Sequence, residues 1–228
     1  MDAPSELAQT LTLADTCLWI DPLDGTIEFV RGNLQHVCVL IGIAVENRPV
    51  AGIVLQPFLT DETPDGVATY GAVGVGIFGD RQPAFGVAPD TLTPGVEEKS
   101  SKQDRIREGI QRLISLGAAQ PVISQATGQN LLRVLRGGTS VYLHRPGLKN
   151  ASRWDTCAGE ALLMAVGGKV TTLEGVPYQY LQDAPSYTNS EGLIAARTEE
   201  LHTLVLDAMS ESGGGSPETC ATMVSEQA

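Results

Sequence analysis

The feature that most constrains the fold is a pair of β-rich runs joined by four turn-forming residues. Val37 to Val45 (VCVLIGIAV) and Val50 to Leu55 (VAGIVL) flank Glu46-Asn47-Arg48-Pro49. Runs of this composition, bounded by turn residues, predict an antiparallel hairpin. Upstream, Leu18 to Ile20 is a short apolar run that ends at Asp21. Downstream, Val67 to Phe78 is rich in Gly and small apolar residues and suits one or two further strands. Together these segments predict one antiparallel sheet.

Beyond a polar connector from Thr91 to Ser101 the pattern changes to alternating helix and strand. Ile106, Ile110, Leu113 and Ile114 follow i, i+4, i+7, i+8 spacing and predict an amphipathic helix over 102–116. Leu131, Leu132, Val134 and Leu135 predict a short helix that stops at Gly137-Gly138. Thr139 to Leu143 and Lys169 to Leu173 read as strands. Between them a helix is expected over Asp155 to Val166, with Asp155 as N-cap and Gly167-Gly168 as its stop. Thr198 is expected to cap a last helix reaching Met209, and residues 211–228 read as a flexible tail. The fold class is therefore mixed α/β.

Composition narrows the partners. The chain has 228 residues, 27 Asp and Glu against 15 Lys and Arg, and a net charge of -12. That balance disfavours a nucleic-acid polymer, whose binding relies on clustered cations. A small anionic substrate would need a local remedy for repulsion, and a divalent metal supplies one. No run approaches the roughly 18 apolar residues of a membrane span, and no signal peptide is visible. Cys17, Cys38, Cys157 and Cys220 lack CxxC spacing, and the first three lie in apolar stretches as reduced core thiols would. A cytoplasmic chain without a membrane partner is expected.

The stretch Asp21-Pro22-Leu23-Asp24-Gly25-Thr26 carries the chemistry. Two carboxylates three residues apart in a tight turn repel unless a cation lies between them. Hard oxygen ligands suit Mg²⁺, which typically takes one or two carboxylates plus phosphate oxygens and water. The Leu23 carbonyl can join them, Gly25 leaves room for a phosphate, and Thr26 brings a hydroxyl. A helix starting near Thr26 would favour an anion at its N-terminus. Alone, the six residues also suit an ordinary solvated turn. Asp155, in Trp154-Asp155-Thr156-Cys157-Ala158, would alone suit a simple N-cap. His36 and His202 read as surface or helix-end residues. His144 is a candidate substrate contact, Glu160 a structural or solvated residue, and Trp154 a core or motif-supporting aromatic.

Taken together, WIDPLDGT (Trp19 to Thr26) and WDTCAGEALLMAVGGKV (Trp154 to Val170) resemble the paired signatures of the lithium-sensitive, Mg²⁺-dependent phosphomonoesterases of the inositol monophosphatase superfamily. VCVLIGIAVENRPVAGIVLQPF (Val37 to Phe58), YTNSEGLIAA (Tyr187 to Ala196), the WDTCA form and Glu28-Phe29 are similar to the 3′(2′),5′-bisphosphate nucleotidase branch. The resemblance covers about 18–197. It implies the sugar-phosphatase fold, with a remnant over 1–17, an antiparallel sheet half over 18–90, an α/β half over 91–210, and the tail. It implies hydrolysis of adenosine 3′,5′-bisphosphate to AMP and phosphate. Asp21, the Leu23 carbonyl, Asp24 and Asp155 would hold two or three Mg²⁺ ions. Gly25 and Thr26 would hold the transferring phosphate, with Thr26 and Asp24 as the catalytic residues. Gly128, Lys149 and Arg153 would face the substrate, with Arg145 adding positive charge; these basic residues also suit a solvated loop.

The same comparison marks departures. The family carries two long helices and a Gly-Glu-Glu metal turn before the first signature, whereas 20 residues precede Asp21 here. A metal carboxylate and the acidic partner of Thr26 are then lacking, and the sheet face carried by Val37 to Leu55 would be partly bare. The chain is then a fragment, or another cover, such as a second copy in a homodimer, completes it. Ser100-Ser101 and Gly128-Gln129-Asn130 replace Ser-His and Gly-Asn-Lys. The alternatives are therefore a phosphatase of inositol mono- or polyphosphates, or a non-catalytic member of the family.

Overall fold

The computed structural model describes residues 13–59, 66–79, 92–97, 102–124, 126–147, 151–180 and 187–210. The expected hairpin is β2 (Cys38–Val45) and β3 (Arg48–Gln56), paired antiparallel from Val39↔Leu55 to Val45↔Arg48. Its turn is tighter than the four residues suggested. Glu46 and Asn47 both take positive φ, 48° and 67°, as a two-residue hairpin turn demands. β1 (Thr16–Asp24) flanks β2, while β4 (Val67–Ala72) and β5 (Gly76–Gly79) extend the other side. The strand order is β1-β2-β3-β4-β5, antiparallel throughout. β1 continues through Asp21-Pro22-Leu23-Asp24, so this stretch is a strand end and not the separate turn expected from its composition.

A second sheet has the order β7-β6-β8-β10-β9. β6 (Pro94–Glu97) lies inside the stretch read as a polar connector and runs parallel to β7 (Val122–Ser124) and β8 (Val141–His144). β10 (Leu193–Ala196) pairs antiparallel with β8 and with β9 (Lys169–Thr171). The helices are α1 (Thr26–Arg31), α2 (Asp104–Ser115), α3 (Thr127–Leu135), α4 (Arg153–Met164) and α5 (Glu199–Met209). Thr198 caps α5 as expected, its hydroxyl accepting from the Leu201 N–H at 3.3 Å.

Two apolar clusters set the layering. In one, Trp19, Cys38 and Leu40 of the first sheet meet Leu131 of α3, Leu162 of α4 and Tyr142 of β8. In the other, Val141 and Leu143 of β8 meet Ile106 and Ile110 of α2 and Val205 and Met209 of α5. All four residues of β8 are buried, as a strand covered on both faces must be. The order of layers is sheet, α3 and α4, sheet, α2 and α5. Cys38 and Cys157 are buried free thiols and Cys17 is half-buried. No helix among the described residues is long and apolar enough to cross a membrane. The readings for residues 1–12, 80–91, 98–101, Lys149 and the tail with Cys220 lie outside the described residues.

Candidate metal centre

Asp21 and Asp24 reach one side of the first sheet through a bulge. In a regular strand, residues i and i+3 point to opposite faces. Here Asp21 pairs with Leu40 and Asp24 with Cys38, so β1 carries one residue more than β2 between them. Pro22 has no N–H for the ladder and suits the irregular position. The Leu23 N–H instead donates to Asp21 Oδ1 at 2.9 Å. Both carboxylates end up buried on the α4 side. Gly25 follows at φ 83°, a conformation that favours glycine, and α1 starts at Thr26. The Thr26 hydroxyl donates to the Leu23 carbonyl at 3.2 Å.

Asp155 arrives from α4. The N-cap is Ser152, not Asp155 as the sequence suggested, because the helix starts two residues earlier. Asp155 is the N3 partner of a capping box, and the Ser152 N–H donates to its Oδ2 at 2.6 Å. This fixes one carboxylate oxygen and leaves the other for the cluster. α4 comes close because β2 and β3 present Gly42 and Gly52, paired across the ladder. A Cβ on Gly42 would lie 2.6 Å from the Cys157 side chain, and one on Gly52 2.9 Å from the Ala158 Cα. With these two glycines, Asp21, Asp24 and Asp155 each offer an oxygen within 4.8 Å of the others.

The electrostatics of that cluster call for a cation. Burial, the charge of Asp24 and a hydrogen bond with Asp21 hold the Asp155 carboxyl far above the usual carboxylate range. Two carboxylates alone would offer less. Three hard oxygen donors from three Asp, partly desolvated and mutually repelling, fit Mg²⁺ or a similar divalent ion. Asp21, Asp24 and Asp155 would hold it, with the Leu23 carbonyl nearby on the same bulge.

The other expected site residues fall differently. The Gly128 N–H donates to Asp24 Oδ2 at 2.8 Å, and a Cβ there would lie 2.6 Å from that oxygen, so Gly128 positions the Asp24 carboxylate. Arg153 opens α4, but its Nη1 donates to Asn189 Oδ1 at 2.8 Å and its guanidinium lies 5.7 Å from the Tyr178 ring. Lys149 lies outside the described residues. His144 is buried, with Nδ1 2.9 Å from the Arg145 carbonyl. His202 is buried against the Thr171 hydroxyl at 2.7 Å, a correction to its reading as a surface residue; α5 packs that face inward. Trp154 is exposed and tilts onto Tyr187 at 6.2 Å, which makes it a motif support and not core.

Sequence reasoning missed the braces behind Asp155. Glu160 is fully buried on α4 and accepts from Tyr180 Oη at 2.6 Å and from Arg48 Nη2 at 3.3 Å. Tyr180 Oη also meets Thr156 Oγ1 at 3.2 Å, and Asn189 Nδ2 donates to Thr156 Oγ1 and to the Ser152 carbonyl, both at 3.1 Å. Burial raises the Glu160 carboxyl to about 7, against the opposing pull of Tyr180 and Arg48. The glycines centred in two otherwise apolar strands were the available signal for close approach of a helix.

Comparison with known proteins agrees with this architecture. A family model described as the inositol monophosphatase family matches residues 3–213. A 3′(2′),5′-bisphosphate nucleotidase 1 of Rattus norvegicus is 35% identical over 189 residues, covering 80% of this chain and 58% of its own. A putative inositol monophosphatase 3 of Drosophila melanogaster is 29% identical, covering 89% and 54%. The chain thus spans a little over half the length of these relatives. Among solved structures, the extragenic suppressor protein suhB of Bartonella henselae matches with a TM-score of 0.65 at 20% identity, covering 87% of this chain and 70% of that one. Inositol monophosphatase II of Staphylococcus aureus also gives 0.65 at 20% identity, covering 88% and 69%. At such identity these structures speak for the fold, the mixed α/β arrangement of two sheets seen here. With the family model spanning nearly the whole of it, the chain belongs to the inositol monophosphatase family.

Proposed function

We propose that the chain is a Mg²⁺-dependent phosphomonoesterase that hydrolyses adenosine 3′,5′-bisphosphate to AMP and phosphate, with Li⁺ as an inhibitor. The observation that carries this reading is the meeting of Asp21, Asp24 and Asp155, from a bulged strand and a separate helix, within 4.8 Å. The nucleotidase relatives at 35% identity support the substrate class. When bound, divalent ions would neutralise phosphate charge and clamp the attacking and leaving oxygens.

The chain's own residues would do the following. Asp21, Asp24, Asp155 and the Leu23 carbonyl hold the ions. Gly128 and Ser152 each donate a backbone N–H to a carboxylate, at 2.8 and 2.6 Å, and so fix its orientation. Gly25 would offer its backbone to the phosphate, and the Thr26 hydroxyl, which donates to the Leu23 carbonyl at 3.2 Å, would accept from a water and orient it. Water adds to phosphorus, the bond to the ribose oxygen breaks, and that oxygen takes up a proton. Arg153 and Lys149 would face the second phosphate. The free thiols suit a cytoplasmic setting.

Hydrolysis of inositol phosphates is the second reading, supported by the match to inositol monophosphatase 3. Phosphate release by the purified chain from adenosine 3′,5′-bisphosphate and from inositol 1-phosphate, with Mg²⁺ and then with Li⁺, separates the two. Release from the nucleotide that is lost in Asp24→Asn and Asp155→Asn supports the proposal. No release from either substrate, with Mg²⁺ binding absent by calorimetry, leaves the non-catalytic reading.

A further inference from the structure

The stretch Tyr187 to Ala196 carries part of the family resemblance, yet no step proposed above uses it. Its first three residues run antiparallel to the entry of α4. The Arg153 N–H donates to the Tyr187 carbonyl and the Asn189 N–H to the Ala151 carbonyl, both at 2.8 Å, on either side of a bridge between Thr188 and Ser152. This pairing delivers the Asn189 side chain to the first turn of α4, where it is fully buried. The neighbours there decide how the amide lies. Arg153 Nη1, 2.8 Å away, can only donate, so the atom facing it is Oδ1. The Ser152 carbonyl, 3.1 Å away, can only accept, so the atom facing it is Nδ2. The other Nδ2 hydrogen goes to Thr156 Oγ1, also at 3.1 Å.

We propose that Asn189 is a positioning residue of the metal centre, a role that rests on reading Asp21, Asp24 and Asp155 as that centre. By holding the Ser152 carbonyl and the Thr156 hydroxyl it fixes the capping box, so that the Asp155 oxygen not bound by Ser152 faces Asp21 and Asp24. Ser152 and Thr156 stand at the two ends of the turn that carries Asp155, and one amide nitrogen bridges them. Through Oδ1 the same side chain holds Arg153 as well. Ser152 has an extended backbone and lies outside the helix, while its N–H holds Asp155 Oδ2 at 2.6 Å. The carboxylate is therefore placed no more firmly than Ser152 is, and Asn189 ties Ser152 to the helix.

A chain of hydrogen bonds backs this clamp. Tyr180 Oη donates to Glu160 Oε2 at 2.6 Å, and so accepts from Thr156 Oγ1 at 3.2 Å. Thr156 then has its oxygen free to accept from Asn189. The donors of Asn189, Thr156 and Tyr180 all point one way and end on Glu160, which Arg48 Nη2 reaches at 3.3 Å. Hydrogen bonds in such a buried series strengthen one another. An Asp at 189 could not donate to Ser152 or Thr156, and an apolar side chain could hold none of the three residues.

Calorimetric titration of the full chain with Mg²⁺ alone is the test, since it needs no substrate. Asn189→Ala should weaken Mg²⁺ binding by about 10–100-fold, the usual effect of removing a group that orients a metal ligand. Val205→Ala, in the other apolar cluster, lowers the melting midpoint but should leave Mg²⁺ affinity unchanged, which separates positioning from loss of stability. Thr156→Val deletes the hydroxyl, keeps the branched shape, and should weaken binding by about tenfold or more. Thr156→Ser, which keeps the hydroxyl, should restore it. Far-UV circular dichroism checks folding, and if Asn189→Ala does not fold, the Thr156 pair decides. A folded Asn189→Ala, or in its place Thr156→Val, that binds Mg²⁺ as tightly as wild type overturns the proposal. So do a Val205→Ala that loses as much affinity as Asn189→Ala, and a Thr156→Ser that binds as weakly as Thr156→Val. Each of these outcomes leaves the metal centre standing, whereas a wild-type chain that binds no Mg²⁺ overturns that reading and this role with it.

Discussion

Gly42→Ala should loosen the metal centre without touching any carboxylate. The added methyl would lie 2.6 Å from Cys157 Cβ and Sγ and 2.7 Å from the Ala158 nitrogen, all on α4. The thiol can rotate away, but the Cys157 Cβ and the helix backbone cannot. Ordinary contact begins near 3.4 Å, so α4 must withdraw by about 0.8 Å. Overpacking of this kind costs about 1–3 kcal/mol, or a midpoint about 3–10 °C lower for a chain of this size. Ala158 lies one turn after Asp155, so the carboxylate moves with it. A displacement approaching 1 Å can cost about a hundredfold in rate, and Mg²⁺ affinity should fall alongside it. Gly138→Ala is the control, since its methyl would meet nothing nearer than 3.7 Å. Calorimetric Mg²⁺ titration and thermal melts of both variants read the outcome. If Gly42→Ala keeps wild-type Mg²⁺ affinity and melting point, the close approach of α4 does not set the site.

The remaining predictions concern charge. Asp155 has a raised pKa in the metal-free fold, so the folded chain holds a proton there that the unfolded chain releases. Metal-free stability should therefore fall as pH rises above about 4, the unfolded value. Melts at pH 5 and pH 8 with chelator should show the loss, and added Mg²⁺ should restore the midpoint at pH 8. Asp155→Asn should melt higher than wild type in chelator at pH 8 yet gain little from Mg²⁺; a lower melt would contradict the repulsion argument. Glu160, at about 7 when folded, contributes a further decline between roughly pH 4.5 and 7, which Glu160→Gln should remove from the stability profile. Glu160→Ala removes the buried carboxylate that accepts from the Tyr180 hydroxyl and from Arg48 and should cost about 2 kcal/mol by urea unfolding.

What could be read from the sequence depended on how far its cause reached. Val37 to Val45 and Val50 to Leu55 announce a hairpin because composition and turn residues act within about twenty positions, and β2 and β3 follow. β7 and β10 are three and four residues long, too short for any periodicity, and are strands only because β6 and β8 supply their partners. The start of α4 was missed by two residues because Asp155 carries the side chain of an N-cap, while Ser152 holds that position and uses Asp155 as its box partner. In the linear pattern His202 reads as a surface or helix-end residue, and Glu160 as either structural or solvated. Their burial follows from which helix face meets a sheet, and neighbouring residues do not encode that.

The site itself is a product of two such non-local facts, and this gives its metal affinity a structural dependence. Asp21 and Asp24 share a side only because the bulge adds one residue, a local effect of Pro22 and its missing N–H. Asp155 reaches them only because Gly42 and Gly52 admit α4, an effect set some twenty to thirty residues along the chain and felt more than a hundred residues later. Neither signature contains the glycines that bring it to the other. The motifs therefore supply the three carboxylates, whereas the spacing of those carboxylates is decided by side chains absent from two strands. The same two strands carry Ile41 and Ile53 on their opposite face. Packing on that face therefore bears on how firmly Gly42 and Gly52 sit against α4, and so on the spacing of the three carboxylates.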